Sequence, residues 1–159
     1  NTMWIWADEV GEYLGQCAEF CGAAHALMRF RVIAEPRADF DGWLVAQDLP
    51  ALEPIEPLAV QGKELFEGEA QCWVCHTVAG SKRSRGTVGP NLTHLADRGH
   101  LAAGLMKNDQ INLRKWISDP GSIKPGNIMA RDAAVYSDPD KKLSDAQIAA
   151  LVAYLQGLK

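Results

Sequence analysis

Four cysteines constrain the fold of this 159-residue chain more than any other feature, because they occur as two close pairs. The pairs are Cys17 with Cys21 and Cys72 with Cys75, and a histidine follows shortly after each pair. A small secreted domain stapled by disulfides usually has fewer than about 100 residues and little apolar core. This chain is longer, and 47% of its residues are hydrophobic. The pairing therefore favours two metal or cofactor sites over a disulfide framework.

The second pair belongs to the pentapeptide Cys72-Trp73-Val74-Cys75-His76, which has the CxxCH spacing of covalent c-type haem attachment. On a helix these cysteines and the histidine share one face, so both sulfurs can reach one porphyrin while the imidazole points at the iron. A thioredoxin-like redox pair would need a βαβ context, which the sequence lacks. A zinc site would need two further ligands at short spacing. The motif therefore predicts a covalent haem on a helix.

The second axial ligand of such a haem must come from far downstream. Met129 is the predicted ligand because it lies in a Pro- and Gly-containing loop that can reach across the haem. Met106 lies in an apolar stretch and is predicted to be a core residue. His94 and His100 are weaker candidates, predicted to be surface or loop histidines. Ligation by histidine and methionine leaves no open iron position, which favours electron transfer over oxygen chemistry.

The first pair lies among further soft ligands, all within twelve positions: Cys17, Cys21, His25 and Met28. A mixture of thiolate, imidazole and thioether selects copper, because zinc has little use for a thioether. A mononuclear blue-copper site needs only one cysteine, so the second one indicates a sulfur-bridged pair of coppers. The same four residues also fall on one face of a helix and could form an amphipathic stripe. Glycines in the segment and strands on both sides disfavour that alternative.

Residues 1–35 are predicted to contain strands, because Thr2, Trp4 and Trp6 alternate with Met3 and Ile5, and Met28, Phe30 and Val32 alternate with Arg29 and Arg31. Between them, residues 11–26 are predicted to form a turn and a ligand-carrying loop. A sheet of this size buries too little surface to fold alone and leaves bare strand edges. We therefore expect residues 1–35 to be the end of a larger β domain whose beginning lies upstream.

Residues 36–58 contain four prolines among acidic residues and are predicted to be a stiff linker, with one docked helical turn at Phe40, Trp43 and Leu44. From residue 59 onward the pattern becomes helical, with three helices expected. They are predicted around Leu65 and Phe66, around Leu113, Trp116 and Ile117, and after a Ser144–Gln147 capping box. The long irregular stretches at 80–100 and 118–140 favour an internal scaffold such as a buried cofactor.

The charges divide unequally along the chain, although the net charge is only −4. Residues 1–60 carry ten acidic against three basic side chains, whereas residues 61–159 carry ten against thirteen. Nucleic-acid binding is not predicted, because only Lys82, Arg83 and Arg85 cluster. That cluster is either a solvated loop or a surface that steers an acidic donor. No apolar run reaches the roughly 18 residues of a membrane-spanning helix.

Residues 62–159 resemble a class I bacterial cytochrome c. The resemblance is carried by Gly62-Lys63-Glu64-Leu65-Phe66 before CxxCH, Gly89-Pro90-Asn91-Leu92, Pro125-Gly126-Asn127-Ile128-Met129 and a terminal helix with Tyr154. It implies a mainly α fold at 59–159, with helices around a covalent haem and the first helix packed across the last. It also implies that the Pro90 carbonyl orients His76 and that Trp116 contacts a haem propionate. Core packing is the equally weighted alternative for Trp116.

The first-pair segment resembles the copper A loop of cytochrome c oxidase subunit II. The resemblance implies that Cys17 and Cys21 bridge two coppers, that His25 and Met28 are ligands, and that Glu19 offers its backbone carbonyl. It also implies a second histidine ligand and a membrane hairpin upstream of residue 1. With the haem domain behind it, the chain resembles subunit II of a caa-type oxidase, in which a partial all-β cupredoxin segment at 1–35 precedes the cytochrome.

This resemblance implies that haem c receives electrons and passes them to copper A for oxygen reduction elsewhere in the complex. The implied partners are oxidase subunit I, the other oxidase subunits, and a donor such as a bc-type complex or a small redox protein. The implied location is the periplasm or the outer face of the bacterial membrane. A free diffusible cytochrome c is the alternative, and the copper domain of a nitrous oxide reductase is a more remote one.

Overall fold

In a computed structural model, which describes residues 2–159, a small β hairpin precedes a helical region. The first part contains β1 (Gly11–Gln16), β2 (Arg29–Ala34) and α1 (Arg37–Gln47). The second part contains α2 (Pro57–Glu67), β3 (His100–Leu101), β4 (Met106–Lys107), α3 (Gln110–Ser118), α4 (Pro120–Ile123), α5 (Ile128–Asp132), α6 (Ala134–Ser137) and α7 (Asp145–Leu155). None of the helices over residues 2–159 is long and apolar enough to cross a membrane.

β1 and β2 form an antiparallel pair, whose register runs from Gly11 opposite Ala34 to Gln16 opposite Arg29. β2 confirms the second predicted strand. The strand predicted at residues 2–6 was wrong, because residues 2–10 have no regular structure and no neighbour among the described residues supplies their ladder hydrogen bonds. β1 itself lies within the stretch that was predicted to be a loop.

The predicted linker contains a full helix, which corrects the expectation of a single docked turn. α1 spans 11 residues because the prolines of this region lie outside it, with Pro36 at its N-cap and Pro50 beyond its end. Phe40, Trp43 and Leu44 lie on α1 as the spacing predicts, but they are 41–50% exposed and do not dock in this chain. The rings of Phe40 and Trp43 lie beside each other, with centroids 5.7 Å apart.

The chain after α1 lies against the helical region. The amide of Ala51 donates to the carbonyl of Ala79 at 3.0 Å. His94 Nε2 donates to the carbonyl of Leu49 at 3.1 Å, and His94 is 8% exposed. His94 lies in a turn, as the predicted loop position requires, but it is not a surface residue, because its ring is buried where it satisfies a backbone carbonyl.

The core forms where α2 crosses α7, as the sequence predicts for the first and last helices. Phe66 on α2 packs edge-on against Tyr154 on α7, with ring centroids 5.5 Å apart. Gly62 lets the two backbones approach closely, since a Cβ there would lie 2.7 Å from the Cβ of Tyr154. The buried apolar cluster comprises Phe66, Val78, Leu92, Leu95, Leu101, Leu113, Ile117, Ile148, Leu151, Val152, Tyr154, Leu155 and Leu158.

The ends of the predicted helices follow their local signals. α2 begins at Pro57, inside the stretch that was predicted to be linker, because proline suits the first position of a helix. α3 ends before Pro120, and α7 begins with the predicted capping box of Ser144 and Gln147. The stretch predicted to be irregular at 118–140 instead contains the short helices α4, α5 and α6.

Candidate haem and copper sites

The CxxCH motif forms a tight turn, not the α-helical turn predicted. Cys72–Val74 is a single 3₁₀ turn after Gln71, whose φ is +55°. The carbonyl of Cys72 accepts from the amides of Cys75 at 3.2 Å and His76 at 3.0 Å. The two cysteines and the histidine therefore still belong to one compact turn.

His76 is held as the cytochrome resemblance implies. Its Nδ1 hydrogen-bonds to the carbonyl of Pro90 at 2.8 Å, which leaves Nε2 as the ring nitrogen available to a metal. Burial lowers the pKa of His76, an effect that the hydrogen bond to Pro90 opposes and that Arg98 reinforces. The ring is thus neutral at neutral pH, as a ligand must be. A Cβ on Gly89 would lie 2.7 Å from Nδ1 of His76, so this glycine makes the close approach possible.

Cys72 has the properties of a thioether precursor. Burial raises the pKa of the Cys72 thiol to about 12, whereas a thioredoxin-type pair needs a lowered thiol pKa. The zinc alternative also fails, because within residues 2–159 the only three His, Cys, Asp or Glu ligands that converge on one point are in the first cysteine pair's segment. A neutral imidazole with one free nitrogen beside two partly buried thiols fits a covalent haem.

Met129 lies in the short helix α5, which corrects the prediction of a loop. Asn127 fixes this segment: its Oδ1 accepts from the amide of Ala130 at 2.8 Å, and its Nδ2 donates to the carbonyls of Pro120 at 2.9 Å and Lys124 at 2.6 Å. An asparagine before a helix is an N-cap signal that the sequence interpretation missed. Met106 lies on β4, partly buried against the core, which confirms its prediction as a core residue.

Trp116 and the basic cluster also lie in the haem domain. Trp116 is partly buried on α3 between the core residues Leu113 and Ile117, so its contact with a propionate stays a prediction. Arg83 is not simply solvated, because its guanidinium lies 4.5 Å from the ring centre of Trp73, inside the CxxCH motif. Next to it, the fully buried Ser84 donates to the carbonyl of His76 at 2.8 Å. The basic loop is therefore anchored to the haem-binding turn.

The first cysteine pair forms a compact ligand cluster in residues 17–28, which we call the copper loop. Cys17 Sγ lies 3.4 Å from Cys21 Sγ. Cys21 Sγ lies 3.5 Å from His25 Nδ1 and 3.5 Å from Met28 Sδ. Cys17 Sγ lies 3.1 Å from the carbonyl oxygen of Glu19. The five metal-ligand atoms predicted from the sequence thus lie close together. Two cysteine sulfurs, an imidazole and a thioether are a set of ligands that suits copper.

The helical alternative for this loop was wrong. Only His25–Leu27 forms a helical turn, and Gly22 has a φ of +122°, so residues 17–28 bring their ligands together by folding back. The pKa of the Cys21 thiol is raised by its hydrogen bond with Cys17, by desolvation and by the nearby Cys17 charge. Lys124 opposes this rise, which places a positive charge from the haem domain near the copper loop.

Comparisons with known proteins identify the haem domain and relatives of the whole chain. The cytochrome c family model matches residues 59–159. The cytochrome c oxidase subunit 2 of Alkalihalophilus pseudofirmus is 42% identical over 159 residues, which is 100% of this chain and 43% of that protein. The subunit 2 of Bacillus sp. is 37% identical, covering 100% of the chain and 44% of that protein. For Bacillus subtilis the identity is 39%, over 95% of the chain and 41% of that protein.

The chain spans less than half the length of each of these relatives. Its similarity nevertheless extends over the copper loop and the haem domain together, and it confirms the resemblance to oxidase subunit II with a cytochrome c domain. Membership of the cytochrome c family implies a covalent haem c. The chain belongs to the cytochrome c family, and its full-length relatives are subunits 2 of cytochrome c oxidase.

Proposed function

We propose that this chain transfers electrons within a terminal oxidase, from a haem c site at residues 59–159 to a copper A site in the copper loop. The observation that carries the proposal is the separation of 3.4 Å between Cys17 Sγ and Cys21 Sγ, with two more ligands beside Cys21, in a chain that also contains CxxCH. In this proposal residues 1–35 are the end of a cupredoxin domain and residues 36–58 are the connection. The electrons then leave for oxygen reduction in another subunit.

In the haem domain, Cys72 and Cys75 would hold a haem through thioethers, and His76 and Met129 would supply the ligands to its iron. Pro90 keeps the His76 ring in one orientation, since its carbonyl lies 2.8 Å from Nδ1. Trp116 would contact a haem propionate. Bound there, the haem supplies a one-electron couple whose potential is raised by methionine ligation.

In the copper loop, Cys17 and Cys21 would hold the metals as thiolates, and His25, Met28 and the Glu19 carbonyl would be the other ligands from this chain. The loop folds back so that Cys21 Sγ lies within 3.5 Å of both His25 Nδ1 and Met28 Sδ. Such preorganisation lowers the rearrangement needed when the metals change charge. Copper A in this position supplies a second one-electron couple.

The partners we propose are oxidase subunit I, the other oxidase subunits, and a donor such as a bc-type complex or a small redox protein. The site belongs on the outer face of a bacterial membrane or in the periplasm, where both thioethers and copper thiolates form. The alternative of a free diffusible cytochrome gives no reason for Cys17, Cys21, His25 and Met28 to lie within reach of one another.

Replacing Met129 tests the haem ligands directly. In Met129→Ala, the weak near-infrared sulfur-to-iron band of the oxidised protein is expected to vanish, because the thioether ligand is lost. Met106→Ala is the matched control, since Met106 packs against the core and should leave the band unchanged. Persistence of the band in Met129→Ala, or its loss in Met106→Ala, would assign the ligand to a different residue.

A further inference from the structure

The haem domain touches the hairpin through a tight turn, Ala102–Gly104, which we call the docking turn. It joins β3 to β4, and its Ala103 carbonyl accepts from the amide of Arg29, the first residue of β2, at 3.2 Å. A Cβ on Gly104 would lie 3.6 Å from the Cβ of Arg29. On the same side, His100 Nδ1 lies 3.8 Å from a carboxylate oxygen of Glu12 on β1.

The docking turn is conformationally costly. Ala102, Ala103 and Gly104 have φ values of +54°, +61° and +75°, so two alanines adopt the left-handed region that favours glycine. Each of these alanines is strained and keeps its conformation only where the surroundings hold it. Here the pairing of β3 with β4, in which His100 lies opposite Lys107, fixes both ends of the turn. The amide of Arg29 binds the carbonyl of Ala103 within the turn. The strain therefore lies at the point of contact between the two parts of the chain.

A second contact joins the two ligand-bearing segments themselves. Gly126 has a φ of +75°, and a Cβ there would lie 3.2 Å from the Cβ of Ala23. Ala23 lies between the ligands Cys21 and His25, and Gly126 lies three residues before Met129. Asn127 makes the Gly126 side rigid through its hydrogen bonds to Pro120, Lys124 and Ala130.

We propose that the docking turn and Gly126 form an interface inside this chain, through which the haem domain packs on the copper loop. At this interface, the contact of Gly126 with Ala23 is the point of electron handover from the haem site to the copper site. The handover part of this inference rests on the proposed function. Electron tunnelling weakens exponentially with distance, so a direct contact between the segment of Met129 and the segment of Cys21 and His25 gives a short route.

The test uses Ala23→Leu in the intact protein loaded with haem and copper. The larger side chain meets Gly126 and should push the haem domain off the copper loop. Deuterium exchange at the Arg29 amide is expected to become faster, because its bond to Ala103 opens. The haem-to-copper electron transfer rate is expected to fall severalfold, because tunnelling weakens exponentially as the two centres move apart. The optical spectra of both centres should be unchanged.

Ala18→Leu is the matched control, because Ala18 is an exposed alanine of the same copper loop, and it should change neither the exchange nor the rate. Gly126→Asn approaches the contact from the haem domain, since asparagine tolerates a left-handed backbone, and it should reproduce the effect of Ala23→Leu. This second variant keeps the test valid if Ala23→Leu disturbs copper binding.

Two results would overturn the proposal. Fast deuterium exchange of the Arg29 amide in the unaltered protein would rule out the interface, whatever the electron transfer rate. If both variants lose protection of the Arg29 amide but keep the electron transfer rate, the handover role is ruled out. A protein that protects Arg29 but binds no copper would support the interface as a structural contact, while overturning its handover role together with the proposed function.

Discussion

Gly62→Ala is expected to lower the free energy of unfolding by about 2–3 kcal/mol, the upper range for overpacking a core. The added methyl group would collide with the backbone carbonyl of Ala150 and would lie 2.7 Å from the Cβ of Tyr154. Backbone cannot rotate away as a side chain can, so α2 and α7 must separate and weaken the packing of Phe66 on Tyr154. Urea denaturation of the haem-containing protein, followed by circular dichroism, measures the loss.

Gly42→Ala is the matched control for this prediction, because Gly42 is also a helical glycine. A Cβ at Gly42 would meet nothing within 4 Å, so this substitution is expected to be neutral or to stabilise α1 by up to about 1 kcal/mol. If the two alanines changed stability equally, the close crossing of α2 and α7 would not be the element on which the core depends.

Cys21→Ser is expected to abolish copper binding. Cys21 is the central ligand, since its sulfur lies within 3.5 Å of the donor atoms of Cys17, His25 and Met28. A serine hydroxyl is a hard, protonated donor and does not replace a bridging thiolate for copper. Metal analysis and the visible thiolate-to-copper bands of the purified protein measure the result.

Two observations control the Cys21→Ser experiment. The haem spectrum should be unchanged, because the haem ligands lie in residues 72–129, and this shows that the variant folds. Met28→Leu should retain copper with an altered spectrum, since a thioether is the weakest ligand of the set. Full copper occupancy in Cys21→Ser would contradict the assignment of Cys21 as a bridging ligand.

The two cysteine-containing clusters are the part of this structure that the sequence predicts best, because the residues within each cluster are close in sequence. Cys72, Cys75 and His76 fall within one turn, so their spacing alone carries the chemistry. The copper loop folds within twelve residues, and its strand β2 follows directly. The α7 capping box is similarly local, since Ser144 and Gln147 satisfy each other's backbone without any distant partner.

Several features that the sequence mispredicts or misses depend on distant partners. Residues 2–6 alternate as a strand does, but alternation forms no ladder without a neighbouring strand. His94 looks like a surface residue until Leu49, 45 positions earlier, places a carbonyl beside its ring. The contact of Gly126 with Ala23 joins residues more than a hundred positions apart, and no periodicity reports it.

The central claim is that one chain carries two electron-transfer centres. Haem and metal analysis of the purified protein, with optical and electron paramagnetic resonance spectra in both redox states, tests it most directly. We expect one covalent haem c per chain, and two coppers sharing one unpaired electron when the copper loop has its full set of ligands. Zinc in the copper loop, or copper present only as isolated single ions, would contradict the two-centre interpretation.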